Sequence, residues 1–361
     1  MEKNNEHFLP YPRLTVRRKI LGAIGRFLMR VLARPQIEGL ENIPEEGPVI
    51  LAGNHVSSLE PVFMFLFTER QVEPIGAGDM PFDGALDLIV NYYGIIPVNR
   101  GQLDRKAMSK AVSVLEQKGF LGIYPEGGIW FPGQMRTHIG VSLLSHRGQA
   151  KVVPIGFSGF RDSWNQAFSL KHPVLKMKIG EAIPALSTEN DDRPIKDIYQ
   201  EYADNVMDKV NELIDPDEFL AIPSEREFAL DIVRENDNIL NLPGHDAIAQ
   251  LFHSPVVLSS LLNNLKKPIK LLLPEKQKRT IPDFAKALRA SLDILQENAG
   301  FFTYRYGMER GRELEAAIRR LIDFLENQAG NAGIRLLAKA RYRYPDGRVE
   351  ELSHTYELSA A

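Results

Sequence analysis

A histidine and a carboxylate stand five residues apart in "AGNHVSSLEP", His55 and Glu60, directly after the apolar run "PVIL". A neutral imidazole can take a proton from a hydroxyl, and a carboxylate on its far side fixes the tautomer and supports the imidazolium that forms. Five residues is not a facing distance on a continuous helix. Across a strand-to-helix turn, with Ser57 or Ser58 capping a helix that Pro61 begins, the glutamate arm can fold back to the ring. A lone histidine at a strand end is more often a hydrogen-bonded structural residue, so the pair needs support from other segments.

Three segments offer it. "YYGIIPVNRG" ends in Asn99 and Arg100, and a guanidinium at a strand end suits phosphate because its planar fork makes two parallel charge-assisted bonds. "GIYPEGGIW" puts Glu126, Gly127 and Gly128 in a tight loop whose backbone amides can approach a ligand closely. "KVVPIGFSG" carries Pro154 inside a buried strand, which argues for an edge position or a bulge near a site. Taken singly, these read as a solvated arginine, a turn and a strand. The chain has no cysteine, so disulfides, thiolate nucleophiles and cysteine metal sites are excluded. No metal and no cofactor are expected.

The elements that must position these residues follow from periodicity. From Pro35 to about residue 215, candidate strands "PVILAG", "VEPIGAG", "GIIPV", "GFLGIYPEG", "AKVVPIGFSG" and "PVLKMKIG" alternate with helices starting near Pro61, Asp83, Asp104, Ile139 and Pro194. That order predicts an α/β fold, a mainly parallel sheet flanked by helices, with polar residues at the carboxyl ends of strands facing one crevice. The expected organisation is a basic amphipathic segment over 1–34, a catalytic domain over 35–217 and a mostly helical accessory region over 218–361. In the last, "DFAKALRASLDILQEN" and "GRELEAAIRRLIDFLENQ" read as helices, and "YPDGRVEEL" holds a hairpin turn.

Of the 361 residues 44% are apolar and 25% charged, as in a folded chain, and the formal net charge is only -3. The basic charge is concentrated: Arg13, Arg17, Arg18, Lys19, Arg26, Arg30 and Arg34 share their segment with only Glu2 and Glu6. This favours an anionic surface as partner over nucleic acid. No stretch is apolar enough to span a bilayer. At helical pitch, Ile20, Ile24, Phe27, Leu28 and Val31 share a face while Lys19, Arg26 and Arg30 lie together elsewhere. The expectation is a cytoplasmic protein, peripheral on the cytoplasmic membrane face, with arginines on lipid phosphates. The competing reading is a surface helix packed on its own domain.

The four motifs, in this order and within about a hundred residues, resemble the glycerol-3-phosphate and lysophosphatidate acyltransferase family, from roughly Pro35 to Glu181. Family members have Asn-His, four residues, then Asp; Gly-Ile-x-x-Val-x-Arg; Phe-Pro-Glu-Gly-Thr-Arg; and a Val-Pro-containing strand. The resemblance implies acyl transfer from acyl-CoA or acyl-carrier protein to a hydroxyl of a lysophospholipid or glycerol phosphate, in phospholipid biosynthesis. It implies His55 as general base, Glu60 as its orienting carboxylate and Arg100 on acceptor phosphate. Glu126 and the Gly127 region would position the acceptor and help stabilise the oxyanion, and Asn54, Asn99, Gly128 and Pro154 would support the site. Two departures stand out: Glu60 where the family has Asp, and Gly128-Ile129 where it has Thr-Arg. The second leaves room for Arg136 or His138 to substitute, or for a glycolipid or aminolipid acceptor. A lipid-binding protein with a decayed site is the non-enzymatic alternative.

Overall fold

The computed structural model describes residues 7–78, 90–99, 104–128, 137–161, 163–189, 191–234, 239–240, 249, 279–297, 299–327 and 333–360. They form two compact units, the first running to Ile222, the second starting at Pro223 and also taking in Asn99.

In the first unit, α1 (Thr15–Leu32) leads to β1 (Arg34–Glu38), β2 (Val49–Gly53), α2 (Leu59–Phe67), β3 (Val72–Ala77) and β4 (Ile96–Val98). Then come α3 (Arg105–Glu116), β5 (Phe120–Ile123), α4 (Gly140–Gly148), β6 (Lys151–Ser158), α5 (Ser163–Phe168), β7 (Val174–Ile179), α6 (Ile195–Leu213) and α7 (Pro216–Leu220). The strands make one sheet in the order β1-β7-β6-β2-β5-β3-β4. β6, β2, β5, β3 and β4 run parallel, β7 is antiparallel to β6, and β1 is parallel to β7. Alternate β2 side chains serve opposite faces. Val49 and Leu51 join a core with Phe63 and Met64 of α2 and Met29 of α1. Ile50 and Ala52 join Ala111 and Val114 of α3, Leu144 of α4 and Val206 of α6.

β1 is a strand not among the candidate strands, and Pro35 is tolerated there because β1 is an edge. Pro154, expected at an edge or a bulge, lies inside the sheet, since β6 is flanked by β2 and β7. The bulge is present. Ile155 pairs with Ile179, yet Val152 pairs with Ile183, so the β7 side gains one residue between the two pairs. Pro154, which has no N–H, sits in that slip and accepts from the Gly180 N–H at 2.9 Å.

α1 is held by its polar side. Arg18 is buried against Glu73 of β3, with Nη2 2.9 Å from Oε2, and Arg13 reaches the same carboxylate at 2.9 Å. Arg26 donates to the Leu66 carbonyl at 3.0 Å, and the Arg30 guanidinium lies 5.7 Å from the Phe67 ring centre. Gly25 permits the close approach, because a Cβ there would come within 2.6 Å of Leu66. Of the basic residues expected to face lipid, Arg26 therefore lies against α2, while Arg30, beside Phe67, and Lys19 remain exposed. Ile20, Ile24, Phe27, Leu28 and Val31 face outward, Phe27 68% exposed. Among the described residues no helix is long and apolar enough to cross a membrane.

The second unit has its own five-stranded sheet of β8 (Glu225–Arg234), β9 (Ile239–Leu240), β10 (Arg279–Thr280), β11 (Ile334–Arg343) and β12 (Val349–Ser359), ordered β10-β12-β11-β8-β9. Helices α8 (Ile281–Glu297) and α9 (Ala299–Asn327) contribute Phe284, Leu288, Ile318 and Leu321 to a core with Leu336 and Tyr356. The helices and the Pro-Asp-Gly hairpin match the sequence reading, Gly347 taking φ +85 in the turn. The structure adds β8, paired along its whole length with β11.

Candidate active site

β2 carries Asn54 and His55 to the carboxyl edge of the parallel strands. Asn54 is fully buried, and its amide spans to β6, accepting from the Phe157 N–H at 2.7 Å and donating to the Phe157 carbonyl at 3.1 Å. This clamp fixes the backbone just before the histidine. The chain then turns into α2. The serine cap takes a different form from the expected one: Ser58 occupies the cap position without a capping bond, and its hydroxyl accepts from Trp164 Nε1 at 2.9 Å. Ser57 Oγ accepts from the Leu59 N–H at 3.0 Å. Glu60 closes the turn before the helix, its Oε1 accepting from the N–H groups of both Val56 and Ser57 at 2.7 Å.

That bond pair bends the glutamate back toward the strand end. Its other oxygen, Oε2, lies 3.8 Å from His55 Nδ1, with the Glu60 side chain 0% and that of His55 16% exposed. The separation is too long for a hydrogen bond and short enough for strong attraction to an imidazolium in a site closed to water.

β5, the neighbour of β2, supplies the opposite wall. Tyr124, Pro125, Glu126 and Gly127 form a turn in which the Gly127 N–H donates to the Tyr124 carbonyl at 2.8 Å. Proline at the second place suits it, and Gly127 takes φ +70, a left-handed conformation that glycine adopts without strain. The Gly127 amide is thus engaged within the turn. Gly128, next in the chain, is buried. The turn aims Glu126 inward, where it accepts from the His55 backbone N–H, and burial pushes its carboxyl up to about 8. At neutral pH it is largely a neutral acid that can donate a hydrogen bond. The Tyr124 ring stacks on His55, centroids 4.4 Å apart at 29°.

The structure thus brings His55, Glu60, Glu126 and Asn54 together. Pro154 pairs with Ala52 in the strand below, supporting the site through the sheet. The His138 N–H donates to the Pro125 carbonyl at 2.9 Å, so that residue braces the turn through its backbone. Asn99 is exposed directly after β4, while Arg100, Ile129 and Arg136 lie outside the described residues. Among the described residues no group of three or more acidic, histidine or cysteine side chains could hold a metal. Tyr124 was not singled out from sequence; its signal was an aromatic residue directly before Pro-Glu-Gly.

Residues 34–158 match the family model described as Acyltransferase. The chain is 26% identical over 142 residues to the mouse 1-acyl-sn-glycerol-3-phosphate acyltransferase alpha, covering 37% of this chain and 48% of that protein. To the 1-acyl-sn-glycerol-3-phosphate acyltransferase of Borreliella burgdorferi it is 32% identical over 97 residues, 25% of this chain and 37% of that protein. The chain therefore spans half or less of the length of these relatives. It also aligns with the crystal structure of the 1-acyl-sn-glycerophosphate acyltransferase PlsC from Thermotoga maritima at 20% identity and a TM-score of 0.38, over 57% of this chain and 85% of that one.

Proposed function

We propose that this chain, whose residues 34–158 carry an acyltransferase-family domain, transfers a fatty acyl group from a thioester to a hydroxyl of a glycerol-phosphate lipid. The observation that carries the reading is the His55 imidazole facing a fully buried Glu60 carboxylate, with Glu126 buried against the same residue's backbone N–H. His55 Nε2 takes the proton of the acceptor hydroxyl as its oxygen attacks the thioester carbonyl. Glu60 stabilises the imidazolium across the Nδ1 side, and the tetrahedral oxyanion collapses with cleavage of the carbon–sulfur bond. The leaving thiolate takes the proton back from the imidazolium, so no acyl-enzyme is needed. Neutral Glu126 donates to the acceptor or to the oxyanion, where one well-aimed donor is worth about 3 kcal/mol.

Arg100 binds the acceptor phosphate in this reading, and acyl-CoA or acyl-carrier protein serves as donor. The place of action is the cytoplasmic face of a membrane in phospholipid biosynthesis. What supports membrane contact is the outward apolar side of α1, with Ile20, Ile24, Phe27, Leu28 and Val31 exposed. A lysolipid lies in the bilayer, so its enzyme must reach the interface. The test is to incubate the purified protein with acyl-CoA or acyl-carrier protein and a lysolipid mixture, and to identify the product by mass. Transfer to lysophosphatidate, lost in His55→Ala, is the expected result; no transfer by the parent protein to any acceptor returns the chain to a lipid-binding role. The Gly128-Ile129 pair in place of Thr-Arg favours a second reading, an acceptor without phosphate, which the same mixture reveals.

A further inference from the structure

Three buried polar atoms beside the His55 ring have no hydrogen-bond partner among the described residues: His55 Nδ1, Glu60 Oε2 and Tyr124 Oη. Buried polar groups are almost always paired, so three in one place mark a network that closes when the site works. The Tyr124 ring lies flat against the imidazole. Its phenol is held well above its ordinary range, first by burial and then by the negative charge of Glu60. The hydroxyl therefore keeps its proton and is a donor. Glu60 Oε1 already accepts two backbone N–H groups, and Oε2 retains its lone pairs.

We infer that Tyr124 is a positioning residue for the proposed reaction: its hydroxyl donates to Glu60 Oε2 and its ring fixes the plane of His55. Tyr124 stands where the family motif has phenylalanine, and Glu60 where it has aspartate. Tyr124 and Glu60 meet at one histidine, the added hydroxyl holding the end of the longer carboxylate. Oε2 can accept from Tyr124 and from the Nδ1 proton of His55 together, so the phenol steadies the carboxylate without displacing the ring.

The inference rests on the proposed function, and the experiment separates the two. Tyr124→Phe keeps the stacked ring and removes only the hydroxyl. With folding checked by thermal unfolding, kcat should fall about tenfold, the worth of one well-placed hydrogen bond, with acceptor KM within twofold. In a Glu60→Asp background the same change should cost less than twofold, because the shorter carboxylate no longer reaches the phenol. Independently of activity, proton NMR of tyrosine-labelled protein should show a downfield hydroxyl resonance, absent in Tyr124→Phe and moved upfield in Glu60→Gln. A parent protein without acyl transfer but with that resonance ends the proposed reaction and leaves the contact standing. Costs of Tyr124→Phe that are equal in both backgrounds, or an absent resonance, overturn the contact.

Discussion

Glu60 uses its two oxygens for different tasks: Oε1 closes the turn into α2 by taking the Val56 and Ser57 N–H groups at 2.7 Å, and Oε2 stands 3.8 Å from His55 Nδ1. Fold and chemistry therefore depend on one side chain and can be separated by substitution. Glu60→Gln keeps a carbonyl oxygen for the two amides and removes the charge. It should fold like the parent and lose about a hundredfold or more in kcat, the range for disabling acid–base catalysis. Glu60→Ala leaves the two amides without acceptors and should also lose about 1–3 kcal/mol of stability per orphaned group. Equal thermal stability of the two variants would refute the turn-closing role.

Glu126 makes the pH dependence readable. Its carboxyl is pushed from 4.5 up to about 8 by burial, so the folded protein holds a proton that the unfolded chain releases. The folded state then binds more protons between those values, and its contribution to stability is fully present below about pH 4.5 and falls as pH rises to about 8. Chemical denaturation across this window should show Glu126→Gln losing less stability with rising pH than the parent. If neutral Glu126 donates in the reaction, the alkaline fall in kcat should also disappear in its glutamine variant, at lower overall rate.

The Arg18–Glu73 pair is nearly closed to water, with side chains 3% and 0% exposed. Removing one partner of such a pair leaves a buried charge, at about 3–5 kcal/mol, whereas replacing both with apolar residues costs much less. Glu73→Ala should unfold at clearly lower denaturant and expose α1 to limited proteolysis. Arg18→Met combined with Glu73→Leu should recover part of the loss, since Arg13, the carboxylate's other partner, is left without it. Were the double variant as unstable as the single one, the pair would be contributing shape rather than compensated charge.

Strand positions were legible because each buried strand is a short apolar run bounded by proline, glycine or charge, as in "PVILAG" and "GFLGIYPEG". The pairing was less so. Nothing local to Pro35 says that it will sit at an edge, or to Pro154 that the bulge will occur inside the sheet; both depend on which strand arrives from β7, more than a hundred residues beyond Pro35. The motif also points to His55 and Glu60 but not to the route between them, since the bonds to the Val56 and Ser57 amides that bend Glu60 back are made only once the chain turns into α2. Tyr124 escaped notice because an aromatic residue at a strand end looks like core, and its contact with His55 comes from the adjacency of β2 and β5. α1 was amphipathic in sequence, but its orientation depended on Glu73, a partner on another strand.

That orientation changes what holds the protein at a membrane in the proposed reading. Arg26 is engaged with Leu66, while Arg30 and Lys19 stay exposed beside an apolar side that is the larger part of what α1 offers a bilayer. Transfer of a side chain such as Ile24 or Phe27 from water into an apolar layer yields about 1.5–3 kcal/mol, whereas a basic residue near an anionic surface adds about 1. Ile24→Asp or Phe27→Asp should therefore weaken sedimentation with anionic vesicles by about tenfold or more without lowering the unfolding temperature, because neither side chain is in the core. Lys19→Gln should have a smaller effect that vanishes at high salt. Arg26→Gln should act mainly through stability, since it removes the link to α2. Vesicle binding unchanged by both aspartate variants would assign the exposed face of α1 to something other than lipid.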